Sequence, residues 1–241
     1  IINEESFAKF KSELKSGIEN KKNKSIEINS AVNVNKEQES GINFYKGQCL
    51  IISGSGSGKT FVLTQRIIKL VREKNVSPEK ILVLTFSNKA ALEIKKRLDG
   101  QIADSEKIFV ATFHSFGLNI LKIYYNQKEE EALEIIDYDC AYNLVKKYLD
   151  VPKNKIKNFL NKVSLYKQGI CFENENENEK FFGQYSNLLN SRNIIDIDDL
   201  VYLPVELLKN DDNILLKIRN MYEWILIDEF QDINSKQYEF V

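Results

Sequence analysis

The apolar positions of the chain fall into short continuous runs separated by longer stretches in which they recur every three or four residues. The runs are Cys49-Leu50-Ile51-Ile52, Ile81-Leu82-Val83-Leu84, Ile108-Phe109-Val110-Ala111 and, near the end, Ile225-Leu226-Ile227. Such runs, bounded by Gly, Ser or Pro, predict strands covered on both faces. Between the first two, Leu63, Ile67, Leu70 and Val71 share one helical face, and before the third Ala91, Ile94 and Leu98 share another. Strands alternating with amphipathic helices predict an α/β fold, a mostly parallel sheet with helices on both faces.

The stretch from 117 to 196 breaks this rhythm. It has helical spacing, many Lys, Asn and Tyr, and no strand-like quartet, so it is expected to be a mostly helical insertion. Within it, residues 173–179 alternate Glu and Asn, a run too polar to pack that is expected to be a solvated loop. Residues 3–20 place Phe7, Phe10, Leu14 and Ile18 on one side of a predicted amphipathic helix, and a polar stretch, 19–25, follows. The resulting division is a helical extension (1–30), a sheet domain made of 31–116 and 197–241, and the insertion (117–196). No repeat of fixed period is apparent.

Composition narrows the class without changing this architecture. The 241 residues are 43% hydrophobic and 11% aromatic, which suits a packed soluble domain. Lys and Arg number 34 against 35 acidic residues, so bulk charge gives no argument for nucleic-acid binding, and any such site must be local. Cys49, Cys140 and Cys171 are far apart and lack metal-ligand spacing, as expected of reduced thiols in an intracellular protein. No apolar run approaches the roughly 20 residues of a membrane helix, and no signal-peptide pattern opens the chain. A cytoplasmic protein without a membrane partner is expected. The chain starts at Ile1 and stops at Val241 after an apolar-aromatic stretch, and both ends look cut from something longer.

Two segments carry chemistry. Ser53-Gly54-Ser55-Gly56-Ser57-Gly58-Lys59-Thr60 lies between an apolar run and an amphipathic helix, the context of a phosphate-binding loop. Its small residues let backbone N–H groups converge on phosphates, Lys59 offers a point charge, and the Thr60 hydroxyl can ligate Mg²⁺. Ser53 stands where the strict pattern has Gly. Asp228 and Glu229 end the last apolar run, at the carboxyl end of a parallel strand where ligands collect. Asp228 suits Mg²⁺, and Glu229 suits orienting and deprotonating an attacking water. Together the two segments imply hydrolysis of a nucleoside triphosphate.

The string Asp228-Glu229-Phe230-Gln231-Asp232 resembles motif II of superfamily 1 helicases of the UvrD/Rep/PcrA group. Upstream, Asn35-Lys36-Glu37-Gln38 resembles that family's Q motif, and Thr85-Phe86-Ser87-Asn88-Lys89-Ala90-Ala91 its motif Ia. Thr112-Phe113-His114-Ser115-Phe116 resembles its Thr-Phe-His-Ser segment, and Ile197-Asp198-Asp199-Leu200 its Asp-Phe-Asp-Asp-Leu segment. These segments occur in the family's order from about residue 34 onward.

The resemblance implies a RecA-like nucleotide-binding domain of an ATP-dependent DNA helicase that moves 3′ to 5′ on single-stranded DNA and meets junctions with duplex. It implies ATP with Mg²⁺ at Gln38 and residues 53–60, with Gln38 reading adenine and Gln231 sensing the γ-phosphate beside Lys59 and Glu229. It also implies DNA contacts at Phe86, Ser87, Asn88, Thr112, His114 and Ser115. The alternative for Phe86 and Phe113 is a place in the hydrophobic core, His114 suits a hydrogen-bonding role better than acid–base catalysis, and Asp198 and Asp199 suit a helix start better than a metal pair. Trp224 is expected to pack beside the hydrolysis strand. The family's later motifs, second motor domain and trans-acting arginines are not in these residues, so slow hydrolysis is expected of this chain by itself. A kinase or general ATPase on the same fold fits the motifs less well. An ATP-switched DNA-binding or interaction module without motor activity stays open, as does the pathway, DNA repair included.

Overall fold

The computed structural model describes residues 34–45, 47–54, 56–128, 134–170 and 175–241. The predicted helix at 3–20, Ser55, Cys171, Glu173 and Asn174 lie outside the described residues. In chain order, α1 (Lys36–Ile42) precedes the phosphate-loop segment and α2 (Lys59–Arg72) follows it. Next come β1 (Ile81–Thr85), α3 (Asn88–Leu98), β2 (Phe109–Thr112) and α4 (Phe113–Lys128). The middle region holds β3 (Glu134–Ile136), α5 (Tyr138–Tyr148), α6 (Ile156–Lys167), α7 (Glu175–Asn190) and β4 (Ile194–Asp196). The chain returns through α8 (Asp199–Asn210), α9 (Asp212–Met221), β5 (Trp224–Ile227) and the single turn α10 (Ser235–Tyr238).

The strands β2, β1 and β5 form one parallel sheet in that order, with Leu82 opposite both Phe109 and Ile225. All five residues of β1 are buried, as a central strand covered on both faces requires. Ile81 and Val83 point into a layer with Ile67 and Leu70 of α2 and Ile94 of α3. Leu82 and Leu84 point the other way, onto Phe113 and Phe116 of α4, Val205 of α8 and Ile218 of α9. The period-two alternation of a strand thus builds two helical layers from one apolar run, and the expected α/β architecture is what folds.

Three expectations are corrected. Residues 49–52 are not a strand of the sheet, and Leu50 and Ile52 are 63% and 87% exposed. An apolar run favours a strand, but a strand also needs a neighbour to complete its ladder, and among the described residues none pairs with it. Residues 175–179 are the start of α7 and not a loop. The helix is held further along by Tyr185, Leu188 and Leu189, all buried, and an acid-rich sequence suits the positive amino-terminal end of a helix. The middle region also contains a two-stranded parallel sheet, β3–β4, whose three-residue strands are too short to register as apolar quartets.

The helices of the middle region share their own apolar cluster, with Val145, Ile156, Val163, Tyr185 and Ile194 at its centre. Beside it lies a buried charge cluster. The Lys167 ammonium, on a side chain 1% exposed, sits 2.9 Å from an Asp196 oxygen, 2.7 Å from an Asp199 oxygen and 5.1 Å from the centroid of the Tyr185 ring. Asp198 occupies the N-cap position of α8 but makes no capping hydrogen bond with its side chain. Instead Asp199 accepts from the Asp196 N–H at 3.1 Å, and the Asp199 N–H donates to Asp196 at 3.0 Å. The expected capping role therefore passes to a reciprocal Asp196–Asp199 pair, because both carboxylates are drawn to Lys167.

Where α4 crosses α8, Gly117 leaves room for the backbone of the partner helix. A Cβ there would overlap the Leu200 carbonyl oxygen and press on Pro204. Gly117→Ala is expected to lower stability by about 1–3 kcal/mol, the usual cost of overpacking a closed interface, as read from the chemical-denaturation midpoint. An unchanged midpoint would mean that the helices separate freely.

Candidate nucleotide-binding site

Parallel register carries the carboxyl ends of all three strands to one edge of the sheet. Thr85 lies opposite Thr112, and Leu84 opposite Ile227, so Phe86, Phe113 and Asp228 all emerge there. This is the edge at which parallel sheets bind ligands. The Asp228 N–H donates to the Leu84 carbonyl at 2.9 Å, which holds the acidic pair at the end of the ladder.

The phosphate-loop segment reaches the same edge. Gly56 and Gly58 take positive φ, 74° and 93°, a left-handed shape that glycine adopts without a Cβ penalty. The Ser57 hydroxyl donates 2.7 Å to the Gly54 carbonyl and lies 2.7 Å from the Ser53 hydroxyl, tightening the loop around its own start. Lys59 and Thr60 open α2, so the loop delivers both side chains at a helix amino terminus. The Thr60 hydroxyl lies 3.4 Å from Asp228 Oδ2, and Lys59 Nζ lies 3.8 Å from Glu229 Oε2 and 3.4 Å from the Ser53 carbonyl. Residues 168 positions apart along the chain meet within one hydrogen-bond length.

Burial, and next the neighbouring Glu229 charge, raise the Asp228 carboxyl above the ordinary range, while the Thr60 hydroxyl and Lys59 pull it down. Glu229 occupies the left-handed region at φ 54°, unusual for a residue with a Cβ. Gln231 donates to Glu229 Oε2 at 2.6 Å from the 3₁₀ turn Phe230–Asp232. Gln38 donates to the Ser57 carbonyl at 3.0 Å, so its amide stands beside the phosphate loop.

One organiser of this site escaped sequence reasoning. Arg66 on α2 is 8% exposed, donates to the Gly41 carbonyl at 2.9 Å and lies 5.7 Å from the ring centroids of both Tyr45 and Trp224. It ties α1, which carries Gln38, to α2 and β5 at once. The available signal was an Arg beside the apolar positions of an amphipathic helix, where a buried cation must find partners.

The DNA-contact candidates lie along the sheet edge, and their exposure sorts them. Phe86 is 61% exposed, whereas Phe113 is 1% exposed and belongs to the core. The Ser87 hydroxyl caps α3 by accepting from the Ala90 N–H at 3.2 Å, and Asn88 begins that helix. Thr112 and Ser115 hydroxyls lie 3.0 Å apart. Burial lowers the His114 pKa, with Asp198 opposing the shift, so the ring is neutral at physiological pH. Ser55 lies outside the described residues.

No helix among the described residues is long and apolar enough to cross a membrane. Cys49 and Cys140 are free.

Residues 34–241 match the model of the UvrD/REP helicase N-terminal domain. The chain is similar to ATP-dependent DNA helicase Rep of Buchnera aphidicola from Acyrthosiphon pisum, 35% identical over 87% of this chain and 35% of that protein. It is 30% identical to Rep of Escherichia coli K12, over 86% of this chain and 33% of the relative. It is 32% identical to ATP-dependent DNA helicase PcrA of Staphylococcus aureus, over 89% of this chain and 32% of the relative. The chain thus spans about a third of the length of the curated relatives it matches. With the match running from residue 34 to residue 241, the chain belongs to the UvrD/REP helicase N-terminal domain family.

Proposed function

We propose that this chain is the ATP-binding part of an ATP-dependent DNA helicase or translocase that moves 3′ to 5′ along single-stranded DNA and works at junctions with duplex. The observation that carries the reading is the convergence of Lys59 and Thr60 with Asp228 and Glu229 across the sheet edge. In this reading residues 53–60 cradle the phosphates, Lys59 meets the β- and γ-phosphates, and Gln38 reads the adenine edge with its paired donor and acceptor. Glu229 orients and deprotonates the attacking water, and Gln231, already bonded to Glu229, responds to the γ-phosphate.

Thr60 and Asp228 offer two hard oxygen donors 3.4 Å apart, which suits Mg²⁺ held jointly with nucleotide oxygens. The ion would neutralise charge developing on the transferred phosphoryl group.

The exposed Phe86 ring is the base-stacking candidate, with Ser87, Asn88, His114 and Ser115 as polar contacts to the strand; Thr112, only 7% exposed, would act through its hydroxyl, 3.0 Å from that of Ser115. A neutral His114 would donate one N–H there rather than add a positive charge. The sheet domain (31–116 and 197–241) would form the motor core and the region 117–196 the accessory subdomain, in a cytoplasmic setting.

The test pairs two variants of this chain. Lys59→Ala is expected to weaken binding of a fluorescent ATP analogue at least about tenfold, a loss of roughly 1.4 kcal/mol, with oligonucleotide binding unchanged. Phe86→Ala is expected to weaken binding of an oligo-dT strand by about 1–3 kcal/mol with ATP binding unchanged. Analogue binding unchanged in Lys59→Ala, or oligo-dT binding unchanged in Phe86→Ala, would sink the corresponding assignment. ATP binding by a longer form without DNA-stimulated turnover would favour the switch-module reading.

A further inference from the structure

The short segment that follows the acidic pair of β5 is attached to the middle region more firmly than a connecting loop would need. From Glu229 the chain passes through the 3₁₀ turn that carries Gln231, and only Ile233 and Asn234 separate this turn from α10. A reciprocal capping box stiffens the start of α10: the Gln237 N–H donates to Asn234 at 2.8 Å, and the Asn234 N–H donates to Gln237 at 3.1 Å. A displacement of the 3₁₀ turn therefore reaches α10 with little slack.

On its far side α10 sits on the end of α6. The Lys236 N–H donates to the Gln168 carbonyl at 3.3 Å. Gly169, at φ 79°, brings its backbone so close that a Cβ would lie 2.9 Å from that of Ser235. The Lys236 ammonium, on a side chain 12% exposed, lies 2.7 Å from Glu206 of α8 and 3.2 Å from Glu239. Lys209 closes a four-charge ring at 2.6 Å from Glu239 and 3.5 Å from Glu206. The Tyr202 ring covers the Lys236 ammonium at 5.2 Å. One residue before Gln168, Lys167 pins the end of α6 to Asp196 and Asp199 at the root of α8. A push from α10 thus meets a junction braced on two sides.

We propose that Lys236 is a positioning residue: its ammonium holds α10 to α8 through Glu206 and so keeps its backbone N–H seated on Gln168 at the end of α6, so that nucleotide at the phosphate loop and the setting of α6 are adjusted together. The inference rests on the ATP-binding reading given above. Lys236 touches no nucleotide; it acts through the backbone that carries Gln231 and Glu229. Arrival of a γ-phosphate near Gln231 competes with its 2.6 Å bond to Glu229, and the re-aimed turn shifts α10 against Gln168 and Gly169.

Hydrogen exchange on the whole chain, with and without a non-hydrolysable ATP analogue, tests this, with analogue affinity measured in parallel by fluorescence. In the native chain and in Lys236→Arg, the analogue is expected to alter exchange of residues 164–170 about fivefold, a modest coupling. In Lys236→Met that response is expected to vanish while analogue affinity stays within about threefold. Glu206→Gln, which removes one partner of the ammonium and leaves Lys236 itself in place, is expected to give a reduced response and guards against a misfolded Lys236→Met. A full response in both weakened variants, or none in a native chain that binds the analogue, would overturn the proposal. A native chain that does not bind the analogue would instead overturn the ATP-binding reading, and the inference with it.

Discussion

Glu229→Gln is expected to slow ATP hydrolysis by about 10²–10⁴-fold, the usual worth of a positioned general base, while ATP affinity changes little. The substitution keeps the size of the side chain and leaves an oxygen to accept from Gln231, so the loss isolates charge and basicity from shape. It also keeps the backbone at φ 54°, a left-handed conformation that costs a residue with a Cβ about 1–2 kcal/mol. Strain held at this residue suits a functional position. Lys59 Nζ, 3.8 Å away, would lose a counter-charge but keep its place over the loop. Single-turnover hydrolysis with protein in excess is the measurement, because it reads slow chemistry without product release. A rate within tenfold of the native chain would remove Glu229 from the role of base and leave it as a structural partner of Lys59.

Lys167→Met is expected to cost about 3–5 kcal/mol of stability, a large share of the 5–15 kcal/mol that holds a typical domain together. The reason is asymmetry. Asp196 and Asp199, on side chains 14% and 7% exposed, would lose the cation that both contact. Burial already holds the Asp199 carboxyl above its usual range, with Lys167 pulling it back down, so removing Lys167 raises it further. A carboxyl whose folded pKa lies above its unfolded value of about 3.9 adds stability below that value, and the gain is lost as pH rises through the folded pKa. The deficit of Lys167→Met should therefore be largest near neutral pH and shrink toward about pH 4. Adding Asp199→Asn to the variant should restore part of the loss at neutral pH, because a neutral amide does not need the cation. Denaturation midpoints across pH check all three statements. A loss under about 1 kcal/mol at neutral pH would class the cluster with ordinary surface pairs.

Local pattern was enough for much of this protein. The central strand is evident from four adjacent apolar residues, and its covering helices from Ile67, Leu70 and Ile94 at helical spacing, because burial on both faces and burial on one face leave different periodicities. The phosphate loop and the acidic pair are each a contiguous string, and their chemistry depends on residue types at fixed offsets. These features are properties of short segments. A short segment carries its own propensity wherever the chain takes it.

Tertiary structure decided what depends on partners. Residues 49–52 have the composition of a strand, but pairing belongs to two segments at once and the run stands outside the sheet. Phe86 and Phe113 are the same residue type in similar motifs, and only packing makes one a surface ring and the other core. Arg66, Lys167 and Lys236 look in the sequence like the solvated charges of helix faces. Their roles come from groups far along the chain, Gly41 and Trp224 for the first, Asp196 and Asp199 for the second, Gln168 and Glu206 for the third. The sequence by itself determined the candidate nucleotide-binding segments. Only the fold decided which buried charges hold those segments in place, because the cost of burying a charge is settled by neighbours that folding alone brings together.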